Sequence, residues 1–223
     1  MKKIENGLVI VFEGSEGTGK STITKEITRW LKEDMNYNTV SFREPGSTEL
    51  GEKLRNIILY DDNIDPLTET LLFYAARNVN IHNNILPALV DNKIVILDRF
   101  SATTFVYQGL IKEVDTDFIS ALDNFTGADT LPDIEFILTC SPETAMDRAN
   151  AKGHERNKYD IVSKARYESY INNYNKYARE LSVHDTKVIN TDKSIDKVLS
   201  EIKDKIIELI KVVEGYEEDY KVN

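Results

Sequence analysis

A chain of 223 residues, 41% hydrophobic and 30% charged, is long enough to bury one sizeable core and short for two, so a single domain spanning 1 to 223 is expected. No apolar run approaches the roughly 20 residues of a spanning helix, which argues against a membrane role, and the charged start MKKIENG leads into an apolar run too short for a secretory leader. The net charge of −10 argues against wide contact with a nucleic-acid backbone, so any phosphate has to be met locally by particular Arg and Lys side chains.

Short apolar runs alternate with longer stretches of helical periodicity, the pattern of βαβ units. Strands are predicted at Leu8 to Phe12, Thr39 to Phe42, Ile94 to Leu97, Ile134 to Thr139 and Lys187 to Ile189. Most are continuous Val/Ile/Leu/Phe runs, as parallel strands covered on both faces require. Helices are predicted at about 21 to 33, 48 to 60, 67 to 91, 101 to 109, 115 to 126, 142 to 151, 162 to 181 and 194 to 213. These elements make a three-layer α/β fold, a five-stranded parallel sheet flanked by helices.

Cys140 is the one cysteine, so it has no partner for an internal disulfide; it reads as a buried small hydrophobe in a chain suited to a reducing cytoplasm. The stretch Lys152 to Ile161, KGHERNKYDI, is charged with little apolar periodicity and reads as an exposed loop that can act as a short lid. In the last helix Ile202, Ile206, Leu209, Ile210 and Val213 recur at helical spacing, and the acidic EGYEEDYKVN behind it reads as a frayed terminus. His82, His154 and His184 are too scattered to suggest a metal cluster.

Gly14-Ser15-Glu16-Gly17-Thr18-Gly19-Lys20-Ser21 matches the phosphate-loop pattern GxxxxGK[ST] directly after one predicted strand and before one predicted helix. Glycines there let successive backbone N–H groups turn toward a nucleotide phosphate, and the helix adds its positive end. Lys20 is placed to bridge the β- and γ-phosphates of ATP, and Ser21 to ligate Mg²⁺. The loop binds nucleotide but does not by itself separate a kinase from a switch or motor ATPase.

Two further strand ends carry arginine. Arg43 opens Arg43-Glu44-Pro45-Gly46-Ser47-Thr48 and Arg99 follows Asp98 in Asp98-Arg99-Phe100, both at the carboxyl edge where open α/β sheets bind ligands. Arg43 can hold an acceptor phosphate with bidentate geometry, or stand solvated on a surface turn. Asp98 is placed like the aspartate that orients Mg²⁺, directly or through water, with Arg99 facing the transferring phosphoryl; a helix-capping pair is the other reading.

GSEGTGKS, REPGST, LLFYAAR and DRFSATTFVYQG, in this order and spacing, resemble the thymidylate kinases over nearly the whole chain, with NTDKSIDKV similar to that family's last strand-to-helix turn. The resemblance implies a cytoplasmic homodimer acting on ATP and dTMP, its surface drawn from Thr68 to Val90. It implies that Thr22 joins the loop in binding ATP, that Phe73 stacks on thymine, that Arg77 bonds the O4 side, and that Gln108 reads the remaining base edge. It also implies that Arg43 and Arg99 hold the dTMP phosphate, with Thr104 lining the same pocket. Tyr107 is implied against the sugar and Glu16 toward the 3′-hydroxyl. From the residues alone, Phe73 is equally a core aromatic, and Tyr107 and Gln108 equally helix-end packing, though Phe73 and Arg77 lie four apart on one helix face.

Thymidylate kinases draw a catalytic arginine from the phosphate loop or from the lid, and the loop here has none. Arg156 is therefore expected to close onto the phosphates, and Arg148 can instead stack on adenine. Ser47 stands where the family commonly has glycine, and Phe100 where it often has tyrosine. Dependence on a phosphorylated acceptor separates the dTMP kinase reading from a broader deoxynucleoside monophosphate or nucleoside kinase and from an assembly ATPase.

Overall fold

The run Leu8–Glu13 forms strand β1 and is buried along its whole length. Successive strand side chains point to opposite faces, so an unbroken apolar strand has to be covered twice. Leu8, Ile10 and Phe12 pack with Ile23, Ile27, Ile202 and Ile206 on one side, whereas Val9 and Val11 pack with Ile81, Ile85 and Ala88 on the other. That split creates the three layers.

The structure is a computed structural model that describes residues 1–127, 130–151, 157–159 and 163–215. Strands β1, β2 (Thr39–Arg43), β3 (Ile94–Asp98), β4 (Ile134–Thr139) and β5 (Thr186–Asn190) form a parallel sheet in the order β2-β3-β1-β4-β5. The helices are α1 (Lys20–Arg29), α2 (Glu49–Tyr60), α3 (Pro66–Asn80), α4 (Leu86–Val90), α5 (Ser101–Thr104), α6 (Thr116–Gly127), α7 (Pro142–Ala151), α8 (Lys164–Glu180) and α9 (Ile195–Val213). Predicted strands and helices fall on these elements with small shifts at their ends.

Three predicted helices are interrupted by wide π-helical turns, at Trp30–Asp34, Ile81–Ile85 and Phe105–Ile111. One such turn changes the phase of the buried face by about a residue, which apolar spacing alone does not reveal. Between α3 and α4 the change is useful: Phe73, Tyr74 and Arg77 are buried before the turn, and Ile81, Ile85 and Ala88 meet the sheet within and after it.

Caps set the starts of α2 and α3. The Thr48 hydroxyl accepts from the Gly51 N–H at 2.9 Å, and the Asp65 carboxylate accepts from the N–H groups of Leu67 and Thr68 at 3.0 Å each, with Pro66 at the first helical position. Removing a cap of this kind costs about 1 kcal/mol. In α9 the buried stripe is Val198, Ile202, Ile206 and Ile210; Leu209 lies at its edge and Val213 is 41% exposed, because a four-residue repeat carries the stripe past it. Cys140 is buried, as expected. Of the predicted lid, 152–156 and 160–161, including His154 and Arg156, lie outside the described residues, as does 216–223 of the tail.

Candidate active site

The carboxyl ends of three adjacent strands meet in register, with Phe12 opposite Asp98 and Asp98 opposite Arg43. The chain leaving β1 turns at once into the phosphate loop. Gly14 (φ 137°) and Gly17 (φ 76°) both take conformations that side chains rarely adopt. A Cβ on Gly14 would overlap the carbonyl oxygen of Leu138, and one on Gly17 that of Ala145 in α7. The loop is thus roofed by backbone.

Lys20 turns back over the loop, its Nζ donating to the carbonyls of Gly14 at 2.7 Å and Ser15 at 2.8 Å. Gly19, before α1, makes no side-chain cap, so the first-turn N–H groups of that helix stay directed outward to an anion. Thr18 donates to the Ser15 carbonyl at 2.8 Å and accepts at its own carbonyl from the Thr191 hydroxyl at 3.0 Å, fastening the loop to the turn after β5. Arg148 donates to the Thr191 carbonyl (2.9 Å) and hydroxyl (3.2 Å), on that same side.

Arg99 occupies the left-handed region at φ 73°, with its N–H donating to the Phe12 carbonyl at 2.9 Å. That backbone turn swings its guanidinium to the loop, where Nη1 donates to Gly14 (3.1 Å), Thr103 (3.0 Å) and Tyr174 (3.2 Å). Glu13, fully buried at the end of β1, accepts from the N–H groups of Phe100 (2.7 Å) and Thr103 (3.1 Å) and from the Thr103 hydroxyl (2.6 Å). Burial pushes its carboxyl up, opposed by the nearby Arg99 cation and these hydrogen bonds.

A cleft of about 440 Å³ opens here. Its walls carry Glu16, Lys20 and Ser21 from the loop and α1, Asp98 from β3, the three guanidinium residues Arg43, Arg55 and Arg99, and the rings of Phe73, Tyr107 and Tyr159. Arg43 is paired at its Nη2 with both carboxylate oxygens of Glu52, at 3.0 Å each. Arg55 donates to the Pro45 carbonyl at 2.9 Å, and its affinity for its proton is lowered by burial and then by the Arg43 cation. Like charges gathered on one wall repel, and an anion relieves them. Tyr159 faces Phe73 and Tyr107 edge-on, with ring centroids 6.4 and 5.7 Å apart.

Arg77 and Gln108 lie behind this wall. Arg77 is 1% exposed, clamped between the rings of Tyr74 and Phe100, and its Nε donates to Glu44 at 2.7 Å. Its Nη2 donates to the Phe100 carbonyl (2.9 Å) and to Thr104 (3.1 Å), while Nη1 is ion-paired with the Asp123 carboxylate at 3.6 Å. Gln108 is fully buried and donates from Nε2 to Glu69 at 2.7 Å; its Oε1 has no partner among the described residues. An unmatched acceptor such as this Oε1 is costly to bury, and such a group in a native protein calls for a reason.

The sequence profile of the thymidylate kinase family matches residues 12–202. The chain belongs to the thymidylate kinase family. It is 34% identical over 208 residues to a thymidylate kinase of Clostridium novyi, covering 90% of this chain and 98% of that one. It is 35% identical over 208 residues to a thymidylate kinase of Caldicellulosiruptor saccharolyticus, covering 92% and 98%. The fold matches the crystal structure of thymidylate kinase from Ehrlichia chaffeensis with a TM-score of 0.71, at 29% identity over 91% of this chain and 98% of that one. Its activity is that of the family, phosphoryl transfer from ATP to dTMP.

Within this thymidylate kinase, the cleft brings together ten of the residues singled out in the sequence: Glu16, Gly17, Gly19, Lys20, Ser21, Arg43, Phe73, Asp98, Arg99 and Tyr107. Ser15 and Thr18 are buried in the loop, Thr22 is exposed outside the cleft wall, and Arg148 reaches the loop through Thr191. Thr104 is fully buried and accepts from Arg77 at 3.1 Å, behind the cleft wall. Arg55, Thr103, Asn157 and Tyr159 line the cleft without having been assigned a role. Asn157 and Tyr159 come from the predicted lid and Thr103 from the DRFSATTFVYQG motif, whereas nothing in its local sequence sets Arg55 apart.

Proposed function

We propose that the cleft divides transfer of the ATP γ-phosphoryl group to dTMP between a donor side on the phosphate loop and an acceptor side on α2, α3 and the Arg99 turn. One observation carries this reading. Lys20 and the three guanidinium groups of Arg43, Arg55 and Arg99 share one cleft, which is more cationic charge than a single triphosphate chain held at the loop calls for and suits two phosphorylated ligands.

On the donor side, the loop N–H groups and Lys20 hold the β- and γ-phosphates, and Arg148, fixed by Thr191, supports adenine. Ser21 and Asp98 offer hard oxygen donors on this cleft, a set that fits Mg²⁺, which takes one or two protein oxygens and fills its shell with water and phosphate oxygens. Bound there, Mg²⁺ neutralises charge on the transferring group. Arg156, in the expected lid, adds the remaining positive charge.

On the acceptor side, Arg43, Arg55 and Arg99 hold the dTMP phosphate, Phe73 stacks on thymine, Tyr107 bounds the sugar and Glu16 receives the 3′-hydroxyl. Arg77, held by Glu44 and Asp123, donates to thymine O4, and the unmatched Gln108 Oε1 accepts from N3–H. The acceptor oxygen then attacks the γ-phosphorus in line, with no covalent enzyme intermediate. A homodimer is supported by the outward Leu67 and Leu71 of α3, 49% and 46% exposed.

ADP release, measured with dTMP, dUMP, dCMP, dGMP or no acceptor, tests the assignment. Fastest release is expected with dTMP, and near-background release without acceptor. Release that ignores the acceptor would overturn it.

A further inference from the structure

Glu69, in the first turns of α3, is fully buried, and Lys112, Lys158, Tyr159 and Gln108 converge on it. Lys112 Nζ stands 2.5 Å from Oε2, Lys158 Nζ stands 2.8 Å from Oε1, and Gln108 Nε2 donates to Oε2 at 2.7 Å. Burying a carboxylate is unfavourable unless it is paired. Here the pairing extends beyond charge balance to the amide of the residue beside Tyr107.

We propose that Glu69 is a positioning residue that sets the polarity of base recognition, holding the Gln108 amide with its oxygen toward the acceptor so that bases carrying N3–H are admitted and cytosine is rejected. The proposal rests on the reading above that Gln108 faces the base. The two ends of an amide are nearly equal in shape, so packing alone does not choose between them. An ionised carboxylate only accepts hydrogen bonds, so it requires the NH₂ end to face it. The planar amide then presents Oε1 on its other side, where that atom is buried with no partner among the described residues.

Burial pushes the Glu69 carboxyl up, but hydrogen bonds from Lys112, Lys158, Tyr159 and Gln108 outweigh it and hold the group below the usual carboxylate range. The acceptor polarity therefore persists through neutral pH. Thymine and uracil offer a donor at N3 beside an acceptor at O4, matching Gln108 Oε1 and the Arg77 guanidinium. Cytosine reverses both: its unprotonated N3 meets an oxygen, and its amino group meets a guanidinium.

The test is kcat and KM for dTMP, dUMP and dCMP in wild type, E69Q, Q108A and the swapped pair E69Q/Q108E. In E69Q the side chain keeps its shape but offers either an NH₂ or an oxygen, so Gln108 is free to turn over. The ratio of kcat/KM for dTMP to that for dCMP is expected to fall on the order of tenfold or more, mainly through KM for dTMP, with dUMP following dTMP. The swap restores a group that only accepts, and the ratio should recover. An unchanged ratio in E69Q, or an equal loss for dTMP and dCMP, overturns the proposal. If E69Q does not fold, the swapped pair decides alone: a retained preference supports the proposal and a lost one overturns it. Q108A tests the underlying reading separately, because a ratio left unaltered there means that Gln108 does not read the base.

Discussion

The hydroxyl of Thr103 donates to the buried carboxylate of Glu13 at 2.6 Å, joining the first turns of α5 to the last residue of β1. The same hydroxyl accepts from Arg99 Nη1 at 3.0 Å, so one side chain ties the strand that starts the phosphate loop to the arginine facing it. Thr103→Val keeps the shape and removes both bonds, together with the one to the Tyr174 hydroxyl at 3.0 Å. We expect a stability loss of about 1.5–3 kcal/mol, the range for a hydrogen bond to a charged group, read by urea unfolding. KM for dTMP should rise several-fold, while KM for ATP stays near its wild-type value.

Arg55 shares the cleft with Arg43 and Arg99 and is bound to the chain through the Pro45 carbonyl. If all three hold the acceptor phosphate, Arg55→Met should raise KM for dTMP on the order of tenfold, the weight of one charge-assisted contact. The folded protein should lose no stability, because removing Arg55 relieves repulsion from Arg43. Steady-state kinetics and thermal melting of the same preparation check both halves.

Glu135, within β4, is fully buried and accepts from the Thr186 hydroxyl at 3.1 Å, while its Oε1 has no partner among the described residues. Burial, and then the nearby Glu13, push its carboxyl well above the usual range. The folded state therefore holds a proton that the unfolded state releases at lower pH, and stability falls as pH rises through the window between the two values. Glu135→Gln should raise Tm at pH 7.5, with each kcal/mol gained appearing as about 2–4 °C. The gain should vanish toward pH 4, where the acid is protonated in both states.

Arg156 is expected to supply the charge that the phosphate loop lacks. Arg156→Ala should lower kcat at least about tenfold while ATP binding, followed by equilibrium titration, is retained. Unchanged turnover would remove the lid arginine from the mechanism.

The strands and the phosphate loop were legible because their signals are local: Val/Ile/Leu runs of fixed length, and glycines at fixed spacing beside a lysine. Arg43, Asp98 and Arg99 were legible because strand ends at one sheet edge fall together whatever the detail. Arg55 was not, since a basic residue on an amphipathic helix looks the same whether it faces water or a cleft. Glu69 was hidden for the converse reason. A glutamate one turn before Phe73 reads as helix surface until Lys112 and Lys158, distant in the chain, are seen to enclose it. The depth of Arg77 and Gln108 was equally invisible, because four-residue spacing gives a shared face and says nothing of how far behind the wall that face sits.

The carbonyl of Ala145 over Gly17 has a consequence for how such an enzyme can change. An arginine placed at position 17 would have to adopt a left-handed backbone and also displace α7. Position 17 therefore accepts a side chain only with a joint shift of loop and helix, so a single substitution there is resisted by the packing of α7 on the loop.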